Sequence, residues 1–272
     1  MKKILVPTDF STEAENAIKV AAQLSRKHNC ELILVHMLDL PLSNLSQAPA
    51  DLPEAVYFMK LAHKQFENVM SKDYLKGITV TELVDFHDIS TGILETCKSR
   101  DIDLIVMGSH GASGVKEMFI GSNAEKIVRT SEVPVLVIKN EHVNFDIEEF
   151  VFASDFENDN KDTFKQATKL AEIFNAKIHL LMVNTASNFK TTARAKVKIQ
   201  EFIAGTNFKN YTTTIYNDDT VEKGILNFSH IIDADLIGIS THGRQGIAHF
   251  LNGSLSEDLV NHAKRPVITF KI

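Results

Sequence analysis

The chain alternates short, wholly apolar runs with longer segments in which apolar residues recur every three or four positions. The runs LIVM (104–107) and VLVI (135–138) contain no polar position, which is typical of strands covered on both faces of a sheet. The segment after the first run has one apolar face, formed by Ala14, Ala17, Ile18, Ala21 and Leu24. We predict strands near 3–7, 31–37, 78–84, 102–107 and 134–138. Helices are predicted between and beside them, near 12–28, 55–73, 91–100 and 122–131.

This order of elements occurs twice. KILVPTDF (3–10) returns as EFVFASDF (149–156), at an offset of 146 residues. DLIVMGSHG (103–111) returns as DLIGISTHG (235–243), at an offset of 132 residues. The change of offset means that the first copy contains extra residues between these two matches. We assign them to a long loop at LDLPLSNLSQAPADLP (38–53), which is rich in Pro, Ser and Asn.

Strands that alternate with helices predict a parallel sheet with right-handed crossovers. The fold class expected is therefore α/β, with two tandem open five-stranded parallel α/β sandwiches. We place the first domain at 1–140 and the second at 146–272, joined near KNEHVNFDIEE (139–149).

Composition narrows the class of partner. A net charge of -6 offers no basic surface for nucleic acid. The two cysteines, Cys30 and Cys97, cannot make a disulfide framework and have no metal-ligand spacing. No apolar run is long enough to span a membrane, and MKKILVPTDF is not a signal peptide, so we expect a cytoplasmic protein.

One glycine-rich stretch suggests a binding site. GSHGASGVKEMFIGS (108–122) returns as STHGRQGIAHFLNGS (240–254), with Gly108 replaced by Ser240. Backbone N–H groups of such a loop can surround an anion, and so can the start of the helix predicted at GSNAEKI (121–127). The alternative for Ser122 is a helix cap completed by Glu125.

Glycine at position 108 is expected to let the backbone approach a ligand and adopt a positive φ. If the first strand neighbours the fourth, Asp9 lies opposite this loop, where open α/β sheets bind ligands. Asp9 then either caps the following helix or accepts hydrogen bonds from a ribose hydroxyl or a base amino group. His110 has no metal-ligand spacing around it.

Catalytic motifs are missing from the sequence. It contains no G-x-x-x-x-G-K-[ST], no G-x-G-x-x-G after the first strand and no G-x-S-x-G. No carboxylate pair stands out as an acid and base. The sequence therefore predicts a place to hold a ligand without machinery to transform it.

The spacing Gly108-x2-Gly111-x9-Gly121-Ser122, together with ILVPTDFS (4–11), resembles the universal stress protein family. The resemblance covers nearly the whole chain, as in tandem members. It implies an adenine nucleotide alpha hydrolase-like fold of strand order 3-2-1-4-5 in each half, and ATP binding, as in many members. By position it implies nucleotide contacts from Pro7, Thr8, Asp9, Met37, Met107, Gly108, His110, Gly111, Gly121, Ser122 and Asn123.

The second copy keeps five of these positions, as Asp155, His242, Gly243, Gly253 and Ser254. It departs from the motif at Ala153, in place of Pro7, and at Ser240. The motif is thus intact in the first domain and degenerate in the second. We predict that the amino-terminal half holds the nucleotide.

The function expected from these observations is an ATP-binding stress-response regulator, with ATP bound alone or with Mg²⁺ and with an unknown protein partner. Two alternatives stay open: a slow Mg-dependent ATPase, and an interaction scaffold that binds no nucleotide. Each copy ends in an apolar strand, VPVLVI (133–138) or RPVITF (265–270), whose exposed edge invites pairing. In the family these strands pair across a two-fold axis, so we expect the two halves to pair and the chain to form a homodimer.

Overall fold

A computed structural model describes residues 1–38, 52–110, 121–241 and 254–272 of the chain. These residues form two units, one of Met1–Ile127 with Val135–Phe145 and one of Val128–Pro134 with Asp146–Ile272. The predicted long loop falls almost wholly outside the described residues, as do Gly111, its counterpart Gly243, and Gly253, the counterpart of Gly121.

The first unit contains five strands, β1 (Lys3–Pro7), β2 (Glu31–Met37), β3 (Val80–Asp85), β4 (Leu104–Gly108) and β5 (Val135–Ile138). Its described helices are α1 (Thr12–His28), α2 (Leu52–Met70), α3 (Ile89–Arg100) and α4 (Ser122–Thr130), the last of which belongs to this unit as far as Ile127. The strands are parallel, in the order β3-β2-β1-β4-β5. The predicted strand order 3-2-1-4-5 is confirmed for this half.

The second unit repeats the arrangement with β6 (Glu149–Ala153), β7 (Lys177–Asn184), β8 (Tyr211–Asn217), β9 (Leu236–Thr241) and β10 (Val267–Lys271). Its described helices are α5 (Lys161–Phe174), α6 (Thr192–Ile203), α7 (Val221–Ile231) and α8 (Ser254–His262). The order β8-β7-β6-β9-β10 is the same topology, and the pairs within it are parallel.

The central strands of the first unit are buried on both faces, as the unbroken apolar runs predict. Every residue of β4 and β5 is buried, and the side chains of β1 and β2 are largely buried as well. Parallel strands buried on both faces need crossover helices on both sides. No helix in the described ranges is long and apolar enough to cross a membrane.

The duplication is also visible in the backbone dihedral angles. All the non-glycine residues with positive φ in the described part of the chain fall into three pairs, Phe10 with Phe156, Asn29 with Asn175, and Asp101 with Asp233. The first two pairs are separated by the offset of 146 residues, and the third by 132. A side chain in the left-handed region costs about 1–2 kcal/mol, so each position requires a local reason to be kept in both copies.

The asparagines end helices. Asn29 (φ 52°) follows α1 and Asn175 (φ 59°) follows α5, and both donate their backbone N–H into the last turn. The asparagine side chain tolerates this left-handed conformation better than most others.

We expect Asn175→Ala to lower the free energy of unfolding by about 1 kcal/mol, because alanine is strained in the left-handed region. Asn175→Gly is the matched control and should be neutral or slightly stabilising. Urea denaturation followed by circular dichroism measures both. Equal stability of the alanine and glycine variants would contradict this account of the helix end.

Candidate functional site

The turn after β1 is built from four consecutive residues. Thr8 extends the strand pairing by donating its N–H to the carbonyl of Val35 at 2.8 Å. Ser11 caps α1, since its hydroxyl accepts the N–H of Ala14 at 3.2 Å. Asp9 in turn accepts both the N–H and the hydroxyl of Ser11 on Oδ1, at 3.1 and 2.6 Å. Asp9 is therefore not the helix cap itself; its carboxylate orients the serine that is.

Phe10 takes the left-handed conformation in this turn (φ 63°). Its N–H is satisfied by the Thr8 hydroxyl at 3.0 Å, and its ring packs against His36 and Phe66, with centroids 4.7 and 5.0 Å away. His36 also forms a hydrogen bond with the turn, since its Nδ1 lies 2.8 Å from the carbonyl oxygen of Thr8. Because a carbonyl only accepts, Nδ1 carries the proton. Local hydrogen bonds and aromatic packing together hold the turn that presents Asp9.

Gly108 ends β4 beside the start of α1. A β-carbon on Gly108 would lie 3.0 Å from the carbonyl carbon and oxygen of Glu13. Its φ is not in the left-handed region. The expectation of a positive φ was therefore wrong: glycine is needed here because strand and helix backbones approach closely.

The second copy accommodates Ser240 at this position by a change in the facing helix. There α5 begins at Lys161, after a short 3-10 turn at Asn158–Asn160, and so starts three residues later than the offset of 146 would place it. The Ser240 hydroxyl lies 2.7 Å from the hydroxyl of Thr163, which donates to the carbonyl of Asn160 at 2.8 Å. The added side chain is thus accommodated inside the protein, by a hydrogen bond to the facing helix.

A cavity of about 330 Å³ lies where the carboxyl ends of β1, β2 and β4 meet α3 and α4. Every predicted contact residue that the structure describes lines it: Pro7, Thr8, Asp9, Met37, Met107, Gly108, His110, Gly121, Ser122 and Asn123. The remaining one, Gly111, is outside the described residues. The structure therefore brings residues from five separate chain segments together around one space.

The sequence reasoning missed the apolar part of the lining. Ile89 and Ile93 lie one turn apart at the start of α3, and Ile127 comes from α4. Met37 packs against α3 at Gly92. A β-carbon on Gly92 would lie 2.8 Å from the methionine sulfur, so only glycine leaves space for this side chain. The spacing of the isoleucines just after a strand was the available signal, but it is also the ordinary signature of a core-facing helix.

The polar end of the cavity is the start of α4. Gly121 donates its N–H to the carbonyl of Ser109 at 2.8 Å and accepts the N–H of Glu125 at 2.9 Å. Accepting the first helical bond makes Gly121 the N-cap, so the predicted capping position at Ser122 is wrong by one residue. The first turn of a helix exposes backbone donors and the positive end of its dipole, and Ser122 and Asn123 bring them to the cavity wall.

His110 stands beside this helix start. Its Nδ1 lies 2.8 Å from the hydroxyl of the buried Ser109, and its Nε2 is buried and has no hydrogen-bond partner within the described structure. Burial lowers the pKa of His110, Lys139 lowers it further, and Glu13 opposes them. Burial also lowers the pKa of Lys139, to about 8. Within the described ranges, no three His, Cys, Asp or Glu side chains are grouped so as to hold a metal ion.

The chain belongs to the universal stress protein family, which it matches twice, over residues 1–139 and 147–271. It is 28% identical over 156 residues to the universal stress protein MJ0577 of Methanocaldococcus jannaschii, covering 52% of this chain and 96% of that protein. It is 28% identical over 145 residues to YxiE of Bacillus subtilis, covering 50% of this chain and 98% of that protein. The crystal structure of a universal stress protein from Archaeoglobus fulgidus shares the fold, with a TM-score of 0.76 and 20% identity over 99% of this chain and 98% of that one.

We expect Gly108→Ala to destabilise the chain by about 1–3 kcal/mol, because the new methyl group meets backbone atoms that cannot rotate away. Ser240→Ala is the matched control at the equivalent position. It keeps the β-carbon and should cost only about 1 kcal/mol, for one lost hydrogen bond. Denaturant titrations of both variants decide the point. A neutral Gly108→Ala would show that the helix start readily moves away from β4.

Proposed function

We propose that the chain binds ATP in the cavity of its first unit and acts as a nucleotide-dependent regulator in the stress response. The observation that supports this most directly is the division of that one cavity into an apolar wall and a polar helix start. A nucleotide has the same division, with a flat apolar base at one end and phosphates at the other. The volume of about 330 Å³ is within the usual range of small-molecule sites.

The apolar wall suits a purine. Met37, Met107, Ile89 and Ile93 supply polarizable and aliphatic side chains from two strands and one helix. Sites for flat ligands are commonly lined in this way, with a few polar groups that set the orientation. Asp9 is such a group, because it is exposed beside the wall and a carboxylate accepts hydrogen bonds from ribose hydroxyls or an amino group.

The helix start suits the phosphates. The N-terminal end of α4 is a ready anion site, because its first backbone N–H groups have no partner within the helix. Lys139 adds a positive charge whose effect reaches His110. Membership of a family in which many members bind ATP supports the same assignment.

Differences between the copies support placing the nucleotide in the first unit. The Asp155 carboxylate, the counterpart of Asp9, accepts the side-chain amide of Asn160 at 2.7 Å on the same oxygen that accepts the N–H of Glu157. Asn160, Thr163 and Ser240 are buried and bonded to one another. The matching positions of the first unit are Ala14, Ala17 and Gly108, so the cavity there is not filled by this group of bonded polar side chains.

The proposal places the protein in the cytoplasm as a homodimer, with an adenine nucleotide and a still unknown protein as its partners. The rival within the same site is a slow ATPase that uses Mg²⁺ and an ordered water. The two differ in turnover and not in binding, so one assay separates them.

Asp9→Ala should weaken ATP binding by about 10- to 100-fold, because a hydrogen bond to a charged group contributes about 1.5–3 kcal/mol. Titration calorimetry on the whole chain measures this. Asp155→Ala is the matched control in the second unit and should leave the affinity unchanged. Asp9→Asn keeps a side-chain oxygen that can accept from Ser11. This variant therefore tests the contact with ATP while the turn keeps its hydrogen bonds. An unchanged affinity in a folded Asp9→Ala variant would remove Asp9 from the site.

Hydrolysis of bound ATP should be far slower than the median enzyme turnover of about 10 per second. The reason is the absence of a Walker lysine and of an evident catalytic base in the sequence. A phosphate-release assay under saturating ATP and Mg²⁺ measures the rate. Turnover at tens per second that Asp9→Ala abolishes would make the protein an enzyme and overturn the regulatory assignment.

A further inference from the structure

One ring nitrogen of His110, in the first unit, has no hydrogen-bond partner among the described residues. It lines the cavity beside Gly121 and Ser122, and the bond from Gly121 to Ser109 ties its loop to the start of α4. Buried polar atoms almost always have a partner, and leaving one without a partner costs about 1–3 kcal/mol. The partnerless Nε2 therefore calls for a group that the polypeptide does not supply within the described residues.

The charges around the ring indicate what that group is. Lys139 acts on it from the end of β5, the dipole of α4 points its positive end at the same region, and Glu13 in the first turn of α1 is the charge that opposes them. The first turn of α4 also carries Glu125. Burial and Lys139 favour the neutral ring, whose pKa is lowered from its ordinary value. An anion at this position would favour the charged ring instead of the neutral one, because a negative charge stabilises the second proton on the imidazole.

We propose that His110 couples anion binding to proton uptake: the ring is neutral in the empty site and becomes imidazolium when a phosphate oxygen accepts a hydrogen bond from Nε2. This inference rests on the proposed function, because the anion meant is a phosphate of the nucleotide. The proton comes from solvent and no covalent bond is made or broken. The imidazolium carries a proton on both nitrogens, so Nδ1 then donates to the Ser109 hydroxyl and Nε2 to the ligand.

The sign of the pH dependence follows from linkage. The pKa of His110 is below its ordinary value in the free protein and rises on binding. Affinity is then greatest below the free pKa, falls as the pH increases through the interval between the free and bound values, and is constant above the bound value. Each unit by which binding raises the pKa changes the affinity about tenfold across that interval.

Proton uptake is measured by titrating the whole chain with ATP near neutral pH in two buffers of different ionisation enthalpy. Wild-type protein should take up a fraction of a proton per ATP beyond that of the His110→Gln variant, which keeps a donor but cannot titrate. Subtracting this variant removes the titration of the ATP phosphates themselves. Adenosine, which has no phosphate, should bind without uptake, whereas inorganic tripolyphosphate should show it.

The Lys139→Met variant separates the two titratable groups on this wall. Removal of the lysine raises the pKa of His110 both with and without ligand, so uptake should persist in this variant and disappear in His110→Gln. ATP binding with equal uptake in wild type and His110→Gln would overturn the proposal while leaving ATP binding intact. Uptake that survives His110→Gln and disappears in Lys139→Met would assign the proton to the lysine instead. Failure of wild-type protein to bind ATP would overturn the proposed function with it.

Discussion

The carboxyl end of β4 meets the first turn of α1 without a side chain between them, and the geometry of the cavity depends on this contact. Gly108 allows it, since any β-carbon would be within 3.0 Å of the Glu13 backbone. This close contact between the backbones of β4 and α1 holds the start of α1 near the loop that continues from β4 through Ser109 to His110. Because α1 begins where the β1 turn ends, the same contact brings Asp9 and His110 to one cavity. A site made of separate loops is thereby positioned by two rigid elements.

Comparison of the two copies separates what the fold requires from what a ligand requires. The three pairs of left-handed residues recur in both, and so does the turn in which an aspartate accepts the N–H two residues ahead. These features belong to the fold. The polar groups above the sheet differ: in the second unit Asn160, Thr163 and Ser240 bond to one another inside the protein. Duplication thus preserved the backbone, while the chemistry at the strand ends diverged.

Much of this was predictable from the sequence, because strands and helices have different apolar periods. The bounds of β1, α1 and β2 were predicted correctly, since a charged or capping residue flanks each of them. The strand predicted at 102–107 begins at Leu104 instead, because Asp101 ends α3 in the left-handed conformation and the chain must first turn. Strand order came from the family resemblance and not from any pattern along the chain.

The site was predictable in its motif residues and not in its apolar wall. Glycine and aspartate near strand ends signal loops, whereas Ile89 and Ile93 look the same whether they face a core or a ligand. The role of Gly108 was misjudged for a related reason: a close approach between backbones leaves no trace in the sequence around either partner. The unpartnered nitrogen of His110 likewise depends on neighbours that only the folded chain brings together.

Whether one cavity of the first unit holds the nucleotide is tested most directly by photolabelling the whole chain with 8-azido-ATP. The stoichiometry is read from the intact mass, and the site from peptide mapping. The account predicts one nucleotide per chain, with the label on peptides from the segments that line this cavity, and protection by excess ATP. Two nucleotides per chain, or a protected label on the segments around Asp155 and Ser240, would contradict it.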